Sequence, residues 1–149
     1  NDKITTPSSP KGWPYWLLIY SQVCALIWFI PSFYYAPAIN WTGIWISLAA
    51  MIGAFLVSAF LLWKQTSNFA TIGFGANALN ALVQIGMLIW CRIVRSSFTI
   101  TYQGVRLILF VALIIAVASA TCAWLMRKAL VAFEGSTAGY RPVSTEEAV

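Results

Sequence analysis

The chain has 149 residues, 60% of them apolar, with a mean hydropathy of +0.79, a formal charge of +5 and no histidine. This composition excludes a soluble globular class. No Asp or Glu occurs from Lys3 through Phe133, so the groups that bind protons, sodium or catalytic metals in most energy-coupling membrane proteins are missing.

Nine cations punctuate uncharged blocks: no charge falls between Lys11 and Lys64, between Lys64 and Arg92, or between Arg106 and Arg127. A hydrocarbon layer of roughly 30 Å needs about 20 apolar residues per helix. The blocks therefore predict an all-α integral membrane protein, a four-helix bundle with short loops and flexible tails. A membrane β-barrel would show alternating polarity over about ten residues, whereas these blocks are apolar on every side.

Residues 1–12 form a Ser/Thr/Pro-rich tail, and the first span covers 13–36. That apolar run is too long for a cleavable signal peptide, while a start at Asn1 rather than Met fits removal of an earlier presequence. Pro31 and Pro37 are expected to end or kink this helix by blocking backbone hydrogen bonds. Asn40-Trp41-Thr42 matches the N-x-[ST] acceptor pattern, which makes Asn40 a candidate glycosylation site.

The second span covers 41–63 and the third 69–91, joined by the link Lys64 to Asn68, short enough to make them antiparallel neighbours. Span three holds Asn77, Asn80 and Gln84, which fall within roughly 60° of one another on one helical face. That face cannot meet lipid without leaving amides unpaired at several kcal/mol. With alternating spans, Gln22 lies near the depth of Asn77, and Ser119 is close to that level. Gln22, Asn77, Asn80, Gln84 and Ser119 are thus expected to form a polar network joining spans one, three and four. The competing reading is a lining for water or a small polar solute, with no charge to provide selectivity.

The third loop, Arg92 to Gly104, contains the alternating Phe98-Thr99-Ile100-Thr101-Tyr102, readable as a short extended segment or an irregular loop. The fourth span covers 105–126, and 127–149 is expected to be a tail, flexible from Glu134 onward. In that tail, Gly139-Tyr140-Arg141-Pro142-Val143 fits the GYxxΦ pattern that cytoplasmic adaptors read in extended form, with Tyr140 and Val143 as its anchors. The terminal valine also suits capture of a C-terminal carboxylate by strand addition.

Trp13, Trp16, Trp63 and Trp124 fall at span ends on one side, and Trp41, Trp45, Trp90, Tyr34, Tyr35 and Tyr102 at ends on the other, as an interfacial belt requires. Only Trp28 is mid-span. Lys3, Lys11, Lys64, Arg127, Lys128 and Arg141 share one face against Arg92, Arg95 and Arg106 on the other, which favours both termini on the cytoplasmic or equivalent negative side. Small residues at four-residue spacing, Ala50, Ala54 and Ser58 with Ala49 and Gly53 beside them, Ala112, Ala116 and Ala120, and Gly73 and Ala81, mark expected helix contacts.

Catalytic and metal-binding readings fail by inventory. No His or acidic partner accompanies any Ser or Cys, and no glycine-rich phosphate loop occurs. Cys24, Cys91 and Cys122 show no CxxC spacing, so neither a zinc site nor a disulfide framework is expected. The cations are few and split between two faces, which suits anionic lipid and not nucleic acid. No cofactor is expected beyond bound lipid.

Two function classes remain. One is a non-catalytic accessory subunit of a larger membrane complex, whose partners are other membrane subunits and lipid. The other is a free-standing tetraspan protein that organises membrane domains or vesicle traffic. In span count and tail length the layout resembles MARVEL-type tetraspan proteins, although no motif along the 149 residues extends that resemblance.

Overall fold

The computed structural model describes residues 12–39, 41–98 and 101–148. They form four long helices with no strand: α1 (Trp13–Tyr35), α2 (Thr42–Trp63), α3 (Ser67–Ile93) and α4 (Tyr102–Ala148). All four are long and apolar enough to span a membrane, which is consistent with an integral multi-pass protein. Residues 1–11, including the expected N-terminal tail, lie outside the description, as do Asn40, Thr99, Ile100 and Val149.

Each helix boundary has a local cause. Pro14 sits in the first turn of α1, where its missing N–H would have no partner anyway. Pro31 lies inside α1, which runs on past it to Tyr35. It removes one backbone bond, while the adjacent Ser32 hydroxyl donates to the Trp28 carbonyl at 2.7 Å and the helix closes with Ala36 N–H on the Ser32 carbonyl. Pro37 lies in the 3-10 turn Ala36–Ala38 that follows. The Thr66 side chain caps α3 by accepting from Phe69 N–H at 3.2 Å, so α3 begins at Ser67 and the link from α2 is shorter than expected.

The third loop contains the 3-10 turn Arg95–Ser97 followed by extended backbone at Phe98. The Phe98 ring stacks on Tyr102 at 6.4 Å and leans on Trp41 at 5.4 Å, which packs this loop over the end of the bundle.

The largest departure from expectation is α4, whose helical backbone continues past Met126 to Ala148. Hydropathy alone ends the span near Met126, but tertiary contacts carry the helix onward. Leu130 is buried with Leu18 and Met126, and Glu134 accepts from the Ser67 amide at 2.9 Å and from its hydroxyl at 2.7 Å. The carboxylate thereby meets the positive end of the α3 dipole.

Short links make sequential helices antiparallel, and α1 closes the ring by packing on α4. Two apolar clusters fill the ends. One gathers Ile39, Trp41, Ile44, Leu48, Cys91, Val105 and Leu109; the other gathers Leu18, Leu61, Ala70, Cys122, Ala123, Met126 and Leu130. Trp41 is therefore buried against Trp90 and Phe98, not part of an outer belt, whereas Trp13, Trp16, Trp63 and Tyr34 are exposed. Gly43 is required beneath the Trp41 indole, because a Cβ there would overlap the ring.

Of the small-residue stripes, Ala112, Ala116, Ala120 and Gly73 are buried at helix contacts. On α2 the buried stripe is Ser47, Met51, Ala54, Ser58 and Leu61. Ala49 and Gly53 face outward and Ala50 is half-buried, so that stripe is rotated from the expected one.

Candidate functional site

Between the two apolar clusters lies a belt of buried polar side chains, one of the few places where this chain holds chemistry other than packing. Gln84 is fully buried, and Asn77, Asn80, Gln22 and Ser119 are all at least nine-tenths buried. The 3.6-residue period of α3 turns Asn77, Asn80 and Gln84 together toward the bundle interior.

Gln84 is saturated. Its side-chain NH2 donates to the Ser47 carbonyl at 3.2 Å and to Asn80 Oδ1 at 2.9 Å, and its Oε1 accepts from the Ser47 hydroxyl. Asn77 Nδ2 donates to Ser58 Oγ at 2.9 Å and to the Gly73 carbonyl at 2.8 Å. On the opposite side of the bundle, Gln22 Nε2 donates to Ser119 Oγ at 2.9 Å. A little further along the same α1–α4 seam, Trp28 Nε1 donates to the Ile108 carbonyl at 3.2 Å.

The structure thus brings Gln22 to Ser119 and Asn80 to Gln84, while Asn77 pairs with α2 and not with Gln22. Two participants, Ser47 and Ser58, were absent from the sequence expectation as network members. A signal for them exists: residues eleven apart on a helix lie only about 20° apart around its axis, so both hydroxyls share one face of α2. That face meets α3.

Buried among all of these is a small cavity with about 10 Å³ of room for the centre of a water molecule, lined by Gln22, Asn77, Asn80 and Ser119 among apolar neighbours that include Met51 and Phe55. Room for one water requires about 10–15 Å³ by this measure. The cavity is far smaller than a solute path, and Gln84 beside it is sealed.

The chemistry available here is neutral hydrogen bonding. Amides and hydroxyls neither store a proton near neutral pH nor act as a nucleophile without a base. Among the described residues no group of three or more His, Cys, Asp or Glu is placed to hold a metal ion. Cys24, Cys91 and Cys122 are free, and the Cys91 thiol donates to its own helix at the Leu88 carbonyl at 3.1 Å.

The remaining candidates lie apart from the belt. Asn40 is outside the described residues; its neighbour Trp41 is buried and Thr42 opens α2. Tyr140 and Val143 occupy helical backbone of α4, not the extended form in which a GYxxΦ signal is read. Near the start of α3, Arg127 Nε donates to Thr71 Oγ1 at 2.9 Å and its guanidinium lies 5.3 Å from the Trp124 ring centroid.

No protein-family model, no curated protein and no solved structure matches the chain.

Proposed function

We propose that this protein is a non-catalytic, multi-pass membrane subunit that occupies a structural place in a larger membrane assembly. The observation that carries this reading is the pairing inside the bundle: Gln22, Asn77 and Gln84 each bond a group on another helix of the same chain, which gives these amides adhesion as their work. No charged side chain is available among them for transport selectivity or catalysis.

The outer surface supports the same reading. Along α1, Trp16, Tyr20, Val23, Ile27, Ile30 and Tyr34 are all exposed, at 60, 66, 47, 60, 72 and 77%. Their alternating four- and three-residue steps form the straight seam that a neighbouring helix packs along. Large rigid rings on that seam offer contact area at low entropic cost.

Extraction in mild detergent followed by native mass spectrometry tests the proposal. A single defined complex of fixed stoichiometry, with photo-crosslinks from Ile27 and Ile30 to one partner chain, is the expected result. Monomers or homo-oligomers of this chain with variable company would instead support a free-standing tetraspan protein, acting in membrane organisation or vesicle traffic.

A further inference from the structure

The buried polar groups fall into two sets. Ser47, Ser58, Asn77 and Gln84 tie α2 to α3, with Asn80 held by Gln84 on the same helix, while Gln22 and Ser119 tie α1 to α4. Among the described residues, no direct side-chain hydrogen bond joins one set to the other. The small cavity lies between them, lined by Gln22 and Ser119 on one side and Asn77 and Asn80 on the other.

Those four residues retain unused bonding capacity. The Asn77 side-chain NH2 is spent on Ser58 and Gly73, which leaves its oxygen. The Asn80 oxygen is taken by Gln84, which leaves its NH2. Gln22 has donated once to Ser119, which leaves the Gln22 oxygen, its second N–H and the Ser119 hydroxyl proton. Each of the four polar residues that line the void thus keeps an acceptor or a donor with no protein partner, on a side chain no more than 7% exposed.

We infer that this cavity is a binding site for one ordered water molecule, which donates to the Gln22 and Asn77 oxygens and accepts from Asn80 Nδ2 and Ser119 Oγ. The volume of about 10 Å³ is at the threshold for a single water and excludes a second. Most of the lining is apolar, but a cavity that offers a water three or four polar partners holds it, whereas one lined by apolar groups alone stays dry. A metal cation is the wrong occupant. It would need oxygen ligands on all sides, whereas Asn80 presents an NH2 group and no carboxylate lines the site. The water therefore completes a link across all four helices, extending the adhesive reading of these residues.

The test is magnetisation transfer from water to side-chain amides, using the full chain with labelled Asn and Gln in deuterated detergent micelles. The Gln84 side-chain NH2, already saturated by protein partners, serves as the internal reference. A long-lived water contact at Asn80 that exceeds the signal at Gln84, and that weakens in Ser119→Ala, is the expected result. The wild-type spectrum alone distinguishes a hydrated cavity from a dry one, so the outcome does not depend on the variant folding. No excess at Asn80 means a dry cavity and overturns the inference. Resonances of Gln22 and Asn77 that shift as sodium chloride is titrated mean a cation and overturn it equally. A dry cavity would leave the direct bonds, and hence adhesion, untouched; loss of the adhesive role would appear as unchanged stability on replacing Gln84.

Discussion

Replacing Gln84 by leucine probes the polar belt where its bonding is densest. The side chain makes three hydrogen bonds, to the Ser47 carbonyl, the Ser47 hydroxyl and Asn80. Two of them, both to Ser47, cross from α3 to α2; side-chain hydrogen bonds between membrane helices average about 0.6 kcal/mol, so their loss amounts to about 1 kcal/mol. The Ser47 hydroxyl can fall back on a carbonyl of its own helix. Asn80 Oδ1 cannot, and stranding a buried acceptor adds about 1–3 kcal/mol. Leucine fills similar volume but gains little, because lipid solvates it equally well in the separated helices. The net expectation is a destabilisation of about 3 kcal/mol, read from reversible SDS-induced unfolding in mixed micelles. A double-mutant cycle with Ser47→Ala should give a coupling energy of about 1 kcal/mol between the two positions. A Gln84→Leu protein within about 0.5 kcal/mol of wild type, where inconsequential substitutions fall, would refute the claim that these amides hold α2 to α3.

Three further outcomes are expected. Gly43→Ala forces a methyl into the Trp41 indole, should cost about 1–3 kcal/mol as overpacking, and should move the Trp41 emission on fluorescence; an unshifted spectrum with unchanged stability would contradict the packing described. Glu134→Gln removes the charge that meets the α3 N-terminus through Ser67; the expected loss is about 0.3–1 kcal/mol, smaller in high salt, with increased amide hydrogen exchange at Ser67 and Phe69 as the local readout. Trp28→Phe deletes the bond to the Ile108 carbonyl and should lower stability by about 0.5–1.5 kcal/mol, measured in the same SDS titration.

Much of the architecture is legible without coordinates, because the spans follow from uncharged runs between cations and need no knowledge of packing. The burial of Asn77, Asn80 and Gln84 is legible for a related reason: three amides on one helical face have few places to go in an apolar chain. Which partner each amide takes is not legible. Asn77 selects Ser58 on α2 because helix rotation and crossing set that distance, and rotation is encoded in the summed fit of many side chains. The outward placement of Ala49 and Gly53, beside the buried Ala54 and Ser58, has the same origin. Helix length beyond the apolar run is hidden as well, since the contacts of Leu130 and Glu134 are made with α1 and the start of α3 and leave no periodic trace in α4 itself. Trp41 shows how an aromatic residue at a span end, an interfacial anchor by composition, becomes core when a loop residue such as Phe98 folds over it.

A sealed, adhesive interior is the property on which the subunit reading rests, and permeability is its most direct test. Proteoliposomes carrying the purified chain should show the same stopped-flow water and urea permeability as protein-free vesicles of matched lipid, with Gln84→Leu indistinguishable from wild type. Solute flux above the lipid background that Gln84→Leu abolishes would mean that the amides line a path, and would contradict the account.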